Sequence, residues 1–194
     1  MKRICVFCGS QCGTRQSYAD QAKTLGRALT ERQTTLVYGG GSIGLMGVIA
    51  DTVLATGGEV IGVIPQKLAK KEVMHQSLTE LRVVGSMHER KALMSELSDA
   101  FVAMPGGFGT LEEILEVITW GQLGIQSKPI GLLNVEGYFD HLLGMVDRGV
   151  EVGFIRPVYR DLFCSESDAR ALLDRFQSFR PLPPILEEMG IEDT

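Results

Sequence analysis

The feature that most constrains this chain is an alternation. Short β-branched or wholly apolar runs recur between longer stretches of helical period, and glycine marks most of the handovers. RICVF (3–7), TLVY (35–38), EVIGVI (59–64), LRVV (81–84), AFVAM (100–104), PIGLL (129–133) and DLFCS (161–165) read as strands. Helices are expected over 16–31, 45–56, 87–97, 110–123, 138–148 and 166–179. The strand runs are mostly apolar throughout, which suits burial on both faces in a parallel sheet wrapped by helices. The expected fold is a Rossmann-like, doubly wound α/β domain with a mostly parallel sheet, spanning 1–180. Residues 181–194 read as a proline-rich, acidic tail, loosely held. The polar stretch 66–80, QKLAKKEVMHQSLTE, breaks the rhythm and is expected as a loop or lid over the carboxyl ends of the strands.

A length of 194 residues suits one domain, and a net charge of −5 argues against a broad nucleic-acid or membrane surface. No run approaches the ~20 apolar residues of a membrane span, and the apolar run in MKRICVFCGS is too short for a signal peptide, so a cytoplasmic location is expected. Cys5, Cys8 and Cys12 form C-x2-C-x3-C, a spacing that matches none of the usual zinc or iron–sulfur clusters. Reduced thiols and no metal are the expectation, with Cys5 inside a strand.

Two glycine-rich turns compete for the chemistry. In VYGGGSIGLMG (37–47), Gly39-x-Gly41-x-x-Gly44 matches the dinucleotide fingerprint, but the next strand ends in Ile64-Pro65 where a ribose-binding acid belongs. The same turn contains Gly40-x-Ser42-x-Gly44, formally a nucleophile elbow, with only His75, His88 and His141 as downstream bases. A third reading is a turn kept glycine-rich only for tight strand–helix packing.

The second turn, MPGGFGTLEEILE (104–116), leaves backbone N–H groups free at the positive end of a helix and so suits an anion. Three carboxylates, Glu112, Glu113 and Glu116, follow at once. Thr110-x-x-Glu113 also reads as a capping box, in which Glu113 would bond the Thr110 N–H. Leu111, Ile114, Leu115 and Ile118 form the expected buried stripe, with the glutamates on the remaining surface. In GSMHERKALMSEL (85–97), Ser86-x-x-Glu89 is a further capping box that sets Arg90 and Lys91 near a positive helix end, where a bound anion would offset the misplacement.

In order and spacing, VFCGS, YGGGSIGLMG, SMHERKA and PGGFGTLEEILEVITWGQLG resemble the LONELY GUY (LOG) proteins, cytokinin riboside 5′-monophosphate phosphoribohydrolases often mislabelled lysine decarboxylases. The resemblance runs from about Ile4 to Phe179, and its signature P-G-G-x-G-T-x-x-E is complete from Pro105 to Glu113. It implies hydrolysis of the N-glycosidic bond of AMP or N6-prenyl-AMP, giving free base and ribose 5-phosphate, with no cofactor. Arg90 and Glu113 match the family's catalytic positions. Lys91, the turn of Gly106, Gly107, Phe108, Gly109, Thr110, Leu111 and Glu112, and Thr119 match substrate-binding positions. Glu72 aligns with a substrate-contacting glutamate, although the sequence around it departs from the plant-like pattern. Gly9 and Ser10 of the first motif, and Gly40, Gly41 and Gly44 of the second, are counted with the substrate site. The resemblance also implies a homodimer, for which EVITWGQLGI is apolar enough. A non-catalytic nucleotide-binding or carrier module on the same scaffold is the alternative. A pyridoxal phosphate decarboxylase would instead need a buried lysine as Schiff base, with Lys91 as the candidate.

Overall fold

The computed structural model describes residues 1–69 and 74–182. Seven strands form one parallel sheet in the order β4-β3-β2-β1-β5-β6-β7. The strands are β1 (Arg3–Phe7), β2 (Thr35–Tyr38), β3 (Val60–Pro65), β4 (Glu80–Val84), β5 (Ala100–Ala103), β6 (Ile130–Leu133) and β7 (Cys164–Glu166). The helices are α1 (Gln16–Glu31), α2 (Gly44–Ala55), the single turn α3 (Gln66–Ala69), α4 (Met87–Leu97), α5 (Phe108–Leu123), α6 (Asp140–Glu151) and α7 (Ala169–Arg175).

Successive residues of β1 face opposite cores, as strand geometry requires. Ile4 and Val6 pack with α1, α2 and α7 on one face, while Cys5 and Phe7 pack with α4 and α5 on the other. The sheet is therefore doubly wound. From β1 the chain builds outward to β4, then returns to lay β5 against the other side of β1, with Cys5 paired to Phe101 and Phe7 to Ala103. The crevice at such a reversal, beyond the strands' carboxyl ends, is where sheets of this kind hold ligands.

Three sequence expectations shift. The run 161–165 splits, because Pro157–Leu162 form a 3-10 turn and the strand proper is Cys164–Glu166. The last helix starts at Ala169, after Asp168 caps it by accepting from the N–H groups of Arg170 and Ala171. The 66–80 stretch, expected as a loop or lid over the strands' carboxyl ends, contains a helical turn, Gln66–Ala69, and its Met74 bridges Gly41 just past the carboxyl end of β2. The expected 181–194 tail falls almost wholly outside the described residues.

Candidate active site

β1 and β5 end side by side, and their exits form the floor of the crevice. Gly9, just past β1, donates its N–H to Pro105 C=O at 3.1 Å. A Cβ on Gly106 would lie 2.1 Å from Thr110 Oγ1 and 2.8 Å from Gly9 N, so the two exits approach this closely only because position 106 has no side chain. Gly107 then caps α5 in an extended conformation, with no side-chain cap. The first bond of α5 runs from Leu111 N–H to Gly107 C=O at 3.1 Å, which leaves the N–H groups of Phe108, Gly109 and Thr110 without an intrahelical acceptor.

This geometry overturns the expected Thr110–Glu113 capping box. The helix begins at Phe108, two residues earlier than expected, so Glu113 sits more than a turn inside it, too far to reach back to the cap. Glu113 is instead buried, 8% exposed, and Leu115, expected in the core stripe, is 43% exposed. The other capping box forms in its Ser86 half, with the return bond shifted to the residue before the cap. Ser86 Oγ accepts from Glu89 N–H at 3.1 Å, and Glu89 answers with a bond from Gly85 N–H at 2.9 Å.

That cap fixes the first turn of α4 and aims its two cations at α5. Arg90 Nη1 donates to Glu113 Oε1 at 2.7 Å, and its Nε donates to Val63 C=O at 3.1 Å. Lys91 Nζ donates to Glu116 at 2.8 Å and also to Glu112. The glutamates beside the anion-friendly turn are thus answered by cations from the neighbouring helix.

Burial pushes the Glu113 carboxyl above the usual glutamate range, outweighing the charge and hydrogen bond of Arg90. A carboxyl raised in this way and sitting in a cleft is suited to exchange a proton. Lys91 moves the other way from what a Schiff-base lysine needs. Burial alone would lower it, but the hydrogen bonds it donates to Glu112 and Glu116 win, and its pKa is raised. The Cys5 and Cys8 thiols, beneath the site, are held protonated by burial and then by the Glu113 charge.

Arg90, Glu113 and the α5 turn line a cleft of about 380 Å³, with Gly9, Ser10 and Gly39 across from them. Through Gly9, Ser10 and Gly107 it adjoins a second lobe of about 250 Å³, walled by Tyr18 and Tyr138. Tyr138 hydroxyl donates to Gly106 C=O, a contact that no sequence pattern announced.

A family model described as "possible lysine decarboxylase" matches residues 46–176. A rice protein (Oryza sativa subsp. japonica), named as a probable cytokinin riboside 5′-monophosphate phosphoribohydrolase, is 57% identical over 181 residues, covering 93% of this chain and 80% of its own. The chain belongs to the LOG family. An Arabidopsis thaliana LOG protein, named cytokinin riboside 5′-monophosphate phosphoribohydrolase, is 50% identical over 93% of this chain and 79% of its own. Among solved structures, the molybdenum cofactor carrier protein of Chlamydomonas reinhardtii superposes with a TM-score of 0.67 at 20% identity, covering 91% of this chain and 98% of its own. At that identity the likeness concerns the fold alone.

The positions marked by the LOG resemblance do not all converge on one cleft. Arg90, Glu113, Gly9, Ser10, Gly107, Phe108, Gly109 and Thr110 line it, with Gly106 in the adjoining lobe. Leu111 packs against the α5-side core, and Lys91 and Glu112 pair beside the cleft. Thr119 lies eleven residues beyond Phe108, roughly 16 Å along the helix, exposed and bonded to Leu115 C=O at 2.8 Å. Glu72 lies outside the described residues.

Between Gly39 and Met46, which line the cleft, the glycine turn is bonded within the protein. Gly40 C=O accepts from His75 N–H at 3.0 Å, and Gly41 bridges Met74. Gly44, at φ 63°, packs on the Ser10–Gln11 backbone, while Gly9 C=O accepts from Leu45 and Met46. The nucleophile-elbow reading loses its base here. His75 Nε2 bonds Asp51 at 2.9 Å and its Nδ1 accepts from Ser77 N–H at 3.2 Å, while His88 and His141 are exposed. The dinucleotide reading also fails, since Glu59 bonds Thr35 at the opposite end of the strands.

Proposed function

We propose that this chain hydrolyses the N-glycosidic bond of adenosine 5′-monophosphates, plain or N6-prenylated, releasing free base and ribose 5-phosphate. The observation that carries the reading is the placement of the buried Arg90–Glu113 pair beside three open N–H groups at the start of α5. Family membership supports it, through relatives of 50–57% identity named for this reaction.

The open end of α5 cradles the 5′-phosphate. The bond from C1′ to the purine nitrogen breaks with its electron pair leaving on the base, and positive charge develops on the sugar as in other glycosidic cleavages. Glu113 faces that charge, stabilises it, and takes the proton of the water whose oxygen bonds C1′, while the departing nitrogen takes up a proton from solvent, so that OH ends on the sugar and H on the base. Arg90 Nη2 hydrogen-bonds no described residue, and the ribose or the departing base takes it up. Glu112 contacts ribose hydroxyls. The carrier reading lacks comparable support: simple retention of a nucleotide gains nothing from a buried carboxyl beside the phosphate.

The decisive assay follows free base from AMP, N6-prenyl-AMP and adenosine side by side. Release from at least one nucleotide and none from adenosine is expected. Silence on both nucleotides, or adenosine cleaved as readily, sinks the reading.

The working unit in this proposal is a homodimer. Leu115 and Leu123 lie on one stripe of α5 with Thr119 between them, 43% and 37% exposed, and Ile125 just beyond is 66% exposed. Sedimentation should show a dimer that Leu115→Asp with Ile125→Asp converts to monomer. A wild-type monomer would remove this part of the proposal.

A further inference from the structure

The glycines that follow β2 are glycine for different reasons. Gly40 and Gly44 have φ of 75° and 63°, where any side chain strains the backbone. Gly39 has no such dihedral, so nothing in its own backbone demands glycine. What demands it is a neighbour. A Cβ built on Gly39 falls 2.2 Å from Arg90 Nη2, against 3.4 Å from Arg90 Cζ and 3.4 Å from Met46 Sδ, so its three nearest neighbours are all ends of flexible side chains.

We propose that Gly39 is a positioning residue for Arg90: its missing side chain is the slot in which the guanidinium lies across the end of β2, with Nη1 on Glu113 and Nη2 turned to the ligand. The inference rests on Arg90 and Glu113 being the working pair. The fork is fixed on its other edges. Nε is held by Val63 C=O at 3.1 Å, and Nη1 by Glu113 at 2.7 Å and Met87 Sδ at 3.4 Å. Nη2 over Gly39 is the remaining nitrogen, and it bonds no described residue. A methyl at position 39 cannot share that space. The sheet has no reason to yield, because the clash is with a side-chain tip, so the guanidinium pivots and Nη1 leaves Glu113.

Pivoting has an electrostatic consequence at Glu113. The charged and titratable groups around that carboxyl are Arg90 and Lys91 from α4, Glu112 from α5, and the Cys5 and Cys8 thiols from the β1 side. Arg90 supplies the main pull toward ionisation; without it, burial and Glu112 hold the proton more tightly. The titration midpoint of Glu113 should therefore rise in Gly39→Ala as it does in Arg90→Ala. A glycine that merely served packing would leave that midpoint unmoved.

The test is a double-mutant cycle of Gly39→Ala and Arg90→Ala, read by thermal melting, turnover of AMP, and carboxyl NMR of 13C-labelled glutamate. Gly39→Ala is expected to melt within about 2 °C of wild type, a shift of under ~1 kcal/mol. Its turnover should fall on the order of 100-fold, the loss that a ~1 Å misplacement brings, and it should cost nothing further once Arg90 is alanine. Folding of the double variant where Gly39→Ala alone fails would also support the slot, since the clash would then be with Arg90 itself. The proposal is overturned if Gly39→Ala keeps wild-type turnover and Glu113 midpoint, if its loss is undiminished in the Arg90→Ala background, or if both backgrounds unfold. Should Arg90→Ala prove fully active, the catalytic reading of the pair falls, while the midpoint in Gly39→Ala still reports whether residue 39 sets the place of Arg90.

Discussion

At the start of α2 the N–H groups of Leu45 and Met46 both point at Gly9 C=O, at 3.0 and 3.4 Å. At the start of α5, those of Phe108, Gly109 and Thr110, three residues that line the cleft, have no acceptor from their own helix. The two turns resemble each other as strings of glycine, and the first is the better match to a nucleotide fingerprint. Yet the first is filled by the protein's own backbone, with the 74–75 stretch bound across Gly40 and Gly41, and the second is left unfilled beside a buried ion pair. A glycine-rich helix entrance is therefore a site only where the fold withholds its own acceptors. Which entrance is withheld follows from topology: the chain reverses between β1 and β5, and α5 opens at that reversal.

The largest effect should come from the open entrance. Glu113→Gln keeps the shape of the side chain and removes its proton chemistry, so turnover should fall about 10²–10⁴-fold with KM for AMP little changed. Steady-state release of free base measures both. The pH profile sharpens the result. Burial raises the Glu113 pKa, so if it acts ionised, wild-type turnover should fall with acid through a value above the ordinary glutamate range. The residual activity of Glu113→Gln should lack that limb. Turnover within a few-fold of wild type would transfer the chemistry to another residue.

Most of the sheet was legible because its strands are apolar on both faces, a pattern with few alternatives over runs of four to six residues. The departures occur where local rules compete. Asp168 and Pro157 reset the boundaries near β7, and β4, an edge strand with Arg82 and Val83 exposed, lacks the two-sided burial expected of its neighbours. At the site, residue types were legible and partners were not. Glu113 satisfied the rule for a capping box, but the helix start at Phe108 carried it past the cap and onto Arg90. Nothing in sequence spacing tells that Val63 C=O, 27 residues away, holds the same arginine, or that Gly39 makes room for it. Such contacts belong to tertiary geometry.

The closed entrance should respond through stability. Gly44 combines φ of 63° with Ser10 C and Gln11 N at 2.2 and 2.4 Å from any added Cβ, and both neighbours are backbone. Gly44→Ala should therefore cost about 2 kcal/mol or more, lowering the melting temperature by roughly 5 °C or more. Calorimetry reads this directly. A variant that melts like wild type but loses affinity for AMP would reverse the comparison, making this turn the ligand cradle.

The mildest substitution tests the open entrance most selectively. Gly109 lines the cleft, has no positive φ, and a Cβ there meets nothing within 4 Å. Alanine at this helical position relieves the entropic cost of glycine, so the fold should keep its melting temperature or gain up to ~1 kcal/mol. The added methyl occupies room at the mouth of the N–H cradle, and weakening one bond to a charged phosphate costs about 1.4 kcal/mol, or roughly tenfold in affinity. The inhibition constant for ribose 5-phosphate should rise by the same factor as KM for AMP, because both share the phosphate and only one retains the base. If Gly109→Ala leaves both constants at wild-type values, the phosphate does not sit at the start of α5, and the contrast between an open and a closed entrance loses its functional meaning even if Glu113 proves essential.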